Sequence, residues 1–106
     1  MMDCRVYWTP MALRSLHVMH DFVSRRWDEQ VVDLLLSSIE ETLERISQFP
    51  AIAPVIEGTD FRKYVLHKYV SLFYSHDLEV IKVLLIWDNR MDDKDLFDQL
   101  SRSVEE

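Results

Sequence analysis

The sequence predicts an α+β fold in the order β-α-α-β-β-β, with an antiparallel sheet packed against an N-terminal helical hairpin and a short C-terminal helix. Two observations support this prediction: apolar residues recur at helical spacing across residues 10–48, and three strand-like segments follow within 61–90. The chain has 106 residues, 48% of them hydrophobic, so it is long enough to bury a core. We expect residues 1–106 to form a single domain, with 91–106 as an acidic C-terminal helix or tail.

The first segment, from Asp3 to Trp8, alternates polar and apolar residues and predicts a short strand. Thr9 and Pro10 then predict the start of a helix, because a threonine hydroxyl accepts a freed backbone N–H and proline has no N–H to leave unpaired. This helix is expected to run to about Trp27. Its apolar stripe consists of Ala12, Leu16, Met19, Val23 and Trp27.

Asp28 is the predicted N-cap of a second helix that ends near Gln48, just before Phe49 and Pro50. Two helices with almost no connector are expected to form an antiparallel hairpin. The apolar stripe of the second helix consists of Val32, Leu35, Leu36, Ile39, Leu43 and Ile46.

Residues 50–59 predict a loop, and the segment from Phe61 to Arg90 predicts three strands joined by turns at 67–68 and 76–78. The helical hairpin is expected to cover one face of this sheet and to leave the other face open for function. The predicted faces are Tyr64, Leu66, Val70, Leu72 and Tyr74 in the second and third strands, and Ile81, Val83, Leu85 and Trp87 in the fourth. Core positions are also expected for Trp8, Trp27 and Trp87.

Composition limits the classes of function. The net charge of −7 argues against specific DNA binding by the chain alone, because phosphate contacts need cations. Residues 60–90 are the exception, with five bases against four acids. One cysteine excludes an internal disulfide and a cysteine metal site, and the sequence predicts neither a metal nor a cofactor. We expect no contact with a membrane and a cytoplasmic location.

Four segments match a known pattern in their order and spacing. They are Trp8-Thr9 with Ala12 and Leu16, a long helix closing on Phe49-Pro50, a hairpin with Phe61-Arg62-Lys63, His67-Lys68-Tyr69-Val70 and Tyr74, and a strand exit Trp87-Asp88-Asn89-Arg90-Met91-Asp92. With these segments, residues 5–95 resemble the RelE/ParE superfamily of bacterial type II toxin–antitoxin toxins.

The resemblance implies a growth-inhibiting toxin, of the kind involved in plasmid stabilisation, that is neutralised by a cognate antitoxin. A ParE-like toxin that binds a protein target such as DNA gyrase is favoured, because the acidic surfaces of the chain suit protein binding. The alternative is a RelE-like, ribosome-dependent endonuclease that cuts mRNA without a metal. A second alternative is an inactive domain that keeps the fold as an interaction module.

The residues expected to bind the target are basic residues of the three-strand segment from Phe61 to Arg90. Arg62 is favoured over its neighbour Lys63 because a guanidinium binds an anion with two hydrogen bonds. The alternative is that Arg62 lies at a solvated strand end. The alternative for Arg90 is an ion pair with a nearby aspartate, namely Asp88, Asp92 or Asp93. The full target-binding set is Arg62, Lys63, Lys82 and Arg90.

Only the nuclease alternative assigns catalytic roles. A base would take the proton of the RNA 2′-hydroxyl and cations would stabilise the phosphate. The groups for this chemistry are Arg62, Arg90, His67 and Lys68. For the antitoxin, we expect contacts with Val31 and Leu34, which lie off the main stripe of the second helix, unless neighbouring helices cover them.

Overall fold

The computed structural model describes residues 3–91 and 93–106. Strands β2, β3 and β4 form an antiparallel meander, and β1 joins β4 in parallel, giving the order β1-β4-β3-β2. The predicted α+β fold and its element order are confirmed. No helix among the described residues is long and apolar enough to span a membrane. The elements are β1 (Arg5–Trp8), α1 (Pro10–Arg26), α2 (Glu29–Gln48), β2 (Arg62–His67), β3 (Val70–Asp77), β4 (Val80–Asp88) and α3 (Asp93–Val104).

Both predicted helix starts are confirmed by their capping hydrogen bonds. The hydroxyl of Thr9 accepts the backbone N–H of Ala12 at 3.1 Å, and Pro10 occupies the first turn of α1. The carboxylate of Asp28 accepts the N–H of Val31 at 3.3 Å at the start of α2. Each cap satisfies one of the donors that a helix N-terminus leaves without an internal partner.

One core lies between the sheet and the helical hairpin. The predicted face of β2 and β3 is confirmed, because its five side chains all belong to this core. The stripe of α2 meets it through Ile39, Leu43 and Ile46, which are 3%, 7% and 0% exposed. The strand residues of the core are Tyr64, Leu66, Val70, Leu72, Tyr74, Ile81, Val83 and Ile86.

A second core lies on the opposite face of the sheet, under α3. Leu96 and Leu100, four residues apart, form the apolar stripe of this helix and are buried against Phe73, Leu84 and Trp87. The expectation of an open face on this side was therefore wrong. Although the C-terminal segment is acidic, Leu96 and Leu100 allow it to cover this face of the sheet.

A β-bulge divides β4 between the two cores. Phe73 pairs with Leu85 while Tyr74 pairs with Val83, so that Leu84 is the additional residue in β4. An additional residue shifts the alternation of side chains by one position. Ile81 and Val83 therefore face the helical hairpin, whereas Leu85 and Trp87 face α3. The prediction of a single face for these four residues was wrong for this reason.

Helix α1 continues along the edge of β4 where β1 ends. The last β1 pair joins Trp8 to Val83, and three residues further along β4 the hydroxyl of Ser15 accepts the N–H of Ile86 at 3.0 Å. At the far end of α1, Trp27 is 50% exposed, so the expectation of a core position was wrong. Its backbone is extended, which takes the indole off the helical stripe. Trp87 is buried, as expected.

Candidate functional site

Arg90 is held in place by Asp88 just after β4. Its backbone N–H and its Nε both donate to Oδ1 of Asp88, at 2.9 and 3.0 Å, and its Nη2 donates to Oδ2 at 2.8 Å. The Arg90 side chain lowers the pKa of the Asp88 carboxyl, mainly through these hydrogen bonds. Of the pairings expected for Arg90, this one is present, and Asp92 lies outside the described residues.

The guanidinium of Arg90 also stacks on two aromatic rings. It lies 4.6 Å from the ring centroid of Tyr69, in the turn between β2 and β3, and 5.9 Å from that of Phe22 on α1. The carbonyl of Tyr69 accepts the N–H of Asn89 at 2.8 Å, which fixes the turn against the exit of β4. Arg90 thus links three segments that are distant in the sequence.

His67 and Lys68 gather around the same tyrosine. The ammonium of Lys68 lies 5.3 Å from the Tyr69 ring, and the imidazole of His67 lies 6.0 Å from it. His67 Nδ1 accepts the backbone N–H of Tyr69 at 3.4 Å. The turn occupies residues 68–69, one position later than predicted. Tyr69 was not predicted as a site residue, although its place directly after His67 and Lys68 at a turn was a signal for it.

Arg62 lies at the opposite end of β2 and binds backbone oxygens. Its Nη1 donates to the carbonyl of Ala53 at 2.7 Å and to that of Ala51 at 3.5 Å. His67 lies five positions further along β2, about 16 Å away at the rise of a strand. The side chain thus ties the loop before β2 to the sheet, and it does not converge with Arg90.

Lys63 and Lys82 each contact a different part of the structure from Arg62 and Arg90. Lys63 Nζ lies 5.9 Å from the ring of Phe73. Lys82 donates from Nζ to the carbonyl of Val104 at 2.6 Å and so caps the C-terminus of α3, where a cation also complements the helix dipole. The structure therefore does not bring the four cations of the predicted target-binding set together.

Val31 and Leu34, the residues expected to contact an antitoxin, lie on α2. Val31 is 37% exposed and Leu34 is 71% exposed. Leu34 is thus not covered by α1 or α3, which was the alternative.

A groove of about 550 Å³ runs between α1 and α3 beside the end of β4. It was not predicted, because it depends on how α3 packs. Elsewhere, no three His, Cys, Asp or Glu side chains come together as a metal site within the described parts of the chain. Residues lining the groove include Met11, Val18, Met19, Phe22, Trp87 and Met91, with Arg14, Asp88, Asp95, Asp98 and Arg102 as charged members.

The arrangement at the β4 exit is suited to binding. It presents a fixed guanidinium, two exposed aromatic rings and the ammonium of Lys68 on one surface. Arginine and tyrosine are among the residues that contribute most to binding energy at protein interfaces. The cation of Arg90 is already neutralised by Asp88.

A solved structure shares this fold. The chain matches a structure titled "Chromosomal ParDE TA system from P. aeruginosa" with a TM-score of 0.70 and 17% identity, over 80% of this chain and 95% of that one. A copper-bound mutant toxin from Helicobacter pylori matches with a TM-score of 0.46 and 14% identity, over 82% and 96%, which is too low a score to indicate the same fold. No curated protein gives a significant match by sequence.

The family comparison is more specific. The sequence model described as "ParE toxin of type II toxin-antitoxin system, parDE" matches residues 6–93, most of the chain. The match runs from β1 through the whole meander to the start of α3. It confirms the resemblance of the sequence to RelE/ParE toxins, and the chain therefore belongs to the ParE toxin family of type II toxin–antitoxin systems.

Proposed function

We propose that this toxin inhibits a protein target, such as DNA gyrase, by binding it, and that a cognate antitoxin neutralises it. The observation that carries the proposal is the state of Arg90, whose guanidinium binds both carboxylate oxygens of Asp88 while stacking on Tyr69. A guanidinium held in this way is a rigid recognition element. A cytoplasmic location follows from a gyrase target.

The geometry gives less support to RNA cleavage. That reaction requires a base, an acid and cations that converge on one phosphate. Arg62 is bound to loop carbonyls at the far end of β2, and the charge of Arg90 is offset by its ion pair with Asp88, which weakens its attraction for a phosphate. His67 and Lys68 lie near Arg90 but are exposed to solvent.

The proposed antitoxin contact lies on α2. Val31 and Leu34 lie three residues apart, and neighbours on a helix at this spacing share a face. An apolar side chain of a partner segment can therefore cover both at once. Leu34 is the more exposed of the two and the better target for mutation.

The function is tested by inducing the chain alone in a bacterium and measuring growth, the DNA-damage response and bulk translation. Growth arrest with a DNA-damage response and intact translation supports the proposal. Early loss of translation with cuts in mRNA would establish the nuclease instead. Normal growth would contradict both toxin mechanisms.

The role of Arg90 is tested in the same assay with Arg90→Ala. Arg102→Ala is the matched control, because Arg102 also forms an exposed ion pair of 2.8 Å, with Asp98 on α3. We expect Arg90→Ala to reduce toxicity and Arg102→Ala to leave it unchanged. Equal toxicity of both variants at equal protein level would remove Arg90 from the target surface.

The antitoxin is tested by co-expressing the small protein encoded in the adjacent reading frame. We expect it to restore growth and to co-purify with the toxin. Leu34→Glu should weaken this complex, whereas Glu40→Lys, an exposed change elsewhere on α2, should not. Full neutralisation of Leu34→Glu would place the antitoxin on another surface.

A further inference from the structure

An aromatic and basic cluster is centred on Phe22 near the end of α1. The guanidinium of Arg26 lies 4.5 Å from the Phe22 ring centroid, and the indole of Trp27 lies 6.3 Å from it in a tilted contact. Arg90 approaches the same ring at 5.9 Å and stacks on Tyr69 at 4.6 Å. We call these five residues, Phe22, Arg26, Trp27, Tyr69 and Arg90, the Phe22 cluster.

The three aromatic residues of this cluster are exposed. Phe22, Trp27 and Tyr69 are 37%, 50% and 38% accessible to solvent. Single exposed apolar side chains are common, but aromatic rings joined through stacked arginines form one continuous patch. Tryptophan, tyrosine and arginine are also the residues that dominate binding energy at protein interfaces.

Arg26 supplies an unused cation. Among the residues that the structure describes, Arg26 stacks on Phe22 and forms no ion pair, so the N–H groups of its guanidinium are available to a ligand. Arg90, in contrast, is occupied by Asp88. Stacking restricts the rotation of the Arg26 side chain, so a bidentate hydrogen bond to an incoming carboxylate costs less entropy.

The cluster borders a groove and a depression that provide room for an apolar anchor beside Phe22. Phe22 lines both the groove between α1 and α3 and a shallow depression on α1, whose other lining residues are Val18, Asp21, Arg25 and Arg26. Val18 is 64% exposed, and Met91, on the other side of the first groove, is 48% exposed. An apolar side chain seated beside Phe22 would therefore lie close to the free edge of Arg26.

We propose that the Phe22 cluster docks a segment of a partner protein in which a carboxylate is adjacent to apolar side chains. The charge of the surroundings favours this partner over a nucleic acid. A phosphate backbone needs several cations in succession, whereas this chain carries −7 and the cluster contains two arginines, one of which is paired with Asp88. A peptide carboxylate needs one cation, which Arg26 provides. The inference extends the proposed surface of Arg90 and Tyr69 to Phe22, Arg26 and Trp27, and its test measures peptide binding, which does not depend on the identity of the toxin's target.

The docking surface is tested on the full chain with three fluorescein-labelled probes. The first is an amphipathic peptide of glutamate and leucine, the second its glutamine–leucine counterpart without charge, and the third an oligouridylate. Fluorescence anisotropy measures the affinity of each. We expect saturable binding of the glutamate peptide and clearly weaker binding of the other two.

Two arginine variants show whether binding occurs at the cluster. Arg26→Glu reverses the proposed contact, while Arg5→Glu makes the same charge change at the start of β1, opposite the beginning of β4. We expect Arg26→Glu to reduce the affinity for the glutamate peptide at least roughly tenfold, because a charge-assisted contact is lost. Arg5→Glu should have little effect on this affinity. In the wild type, the bound peptide should also protect the fluorescence of Trp27 from quenching by acrylamide. The Trp27→Phe variant gives the signal of the other tryptophans, which serves as the background.

Three results would overturn the proposal. They are no saturable binding of the glutamate peptide, equal weakening by the two arginine variants, and tighter, Arg26-dependent binding of the oligouridylate. The last would identify the cluster as a surface for single-stranded nucleic acid, on which bases stack on aromatic rings.

Discussion

Thr9 and Ser103 share a hydrogen bond of 2.8 Å between their hydroxyls, across 94 positions of the chain, and both are fully buried. Ser103 also donates to the carbonyl of Leu84 at 2.7 Å, and Thr9 contacts the carbonyl of Val83 at 2.9 Å. This small polar network lies where α1 begins, where β4 bulges and where α3 ends. It joins the three elements at a single point.

Thr9→Val is expected to destabilise the protein by about 2–4 kcal/mol, because valine keeps the shape but loses the helix cap and leaves buried polar groups unpaired. Urea unfolding monitored by circular dichroism measures the effect. Ser101→Ala is the control, since Ser101 is an exposed serine of the same helix as Ser103 and should change stability by less than about 0.5 kcal/mol. Equal effects of the two variants would show that the network contributes nothing.

Leu100→Ala tests whether α3 closes the second core. Leu100 is 0% exposed between α3 and the sheet, so the substitution should cost about 2–5 kcal/mol through lost burial and the resulting cavity. Phe97→Ala, at a position of the same helix that is 51% exposed, removes more atoms but should cost far less. If Phe97→Ala is the more harmful change in urea unfolding, α3 packs in a different orientation.

Asp88 should make the free energy of unfolding depend on pH in the acidic range, and this dependence should require Arg90. The pKa of Asp88 is lowered in the folded state, mainly by the hydrogen bonds from Arg90. A lowered pKa stabilises the fold above the ordinary pKa of aspartate, and this contribution is lost as the pH falls through the folded value. In Arg90→Gln the pKa of Asp88 should rise towards its ordinary value, as measured by NMR titration of the carboxyl group.

The matched variant for this titration is Arg102→Gln, which breaks the ion pair with Asp98 and should not move the pKa of Asp88. The stability advantage of the wild type over Arg90→Gln should be larger at neutral pH than in acid. An advantage that is constant with pH would mean that the charge of Asp88 is not stabilised by Arg90.

Tyr74 is expected to make the free energy of unfolding depend on pH in the alkaline range. Its hydroxyl donates to the carbonyl of Pro50 at 2.7 Å, and burial raises its pKa in the folded protein. The unfolded chain therefore ionises first, and the contribution of Tyr74 to stability should fall as the pH rises above about 10.

Tyr74→Phe removes this ionisation together with one hydrogen bond, at a cost of about 1 kcal/mol at neutral pH. The difference in unfolding free energy between wild type and variant should shrink above about pH 10. A difference that grows at high pH would show that the phenolate is stabilised in the fold.

The sequence predicted the parts of the fold that depend on local physical rules. Thr9, Pro10 and Asp28 marked the helix starts because capping needs only neighbouring backbone groups. The core faces of β2 and β3 followed from alternation. The bulge at Leu84 escaped prediction, because all the neighbouring β4 side chains are apolar and give no sign of where the alternation changes.

The candidate site was predicted less well, because it depends on contacts between distant segments. Arg90 was identified as a key residue, and its pairing with Asp88 was among the alternatives. Its stacking on Phe22 depends on where α1 ends relative to β4, and the capping of α3 by Lys82 depends on α3 crossing the sheet. No pattern within either segment indicates such a contact.

The position of Ser15 beside Ile86 affects how the protein behaves at high concentration. An unpaired strand edge is a template on which other chains can add and aggregate. Here α1 occupies the edge of β4 beyond β1, and the first part of β2 is paired through Val55 with the preceding loop. Two edges remain: the outer edge of β1, which is only four residues long, and the end of β2, which carries a bulge between Val65 and His67 that interrupts regular pairing. These features disfavour growth of the sheet from one molecule to the next, which helps a toxin to remain dispersed until it meets its partner.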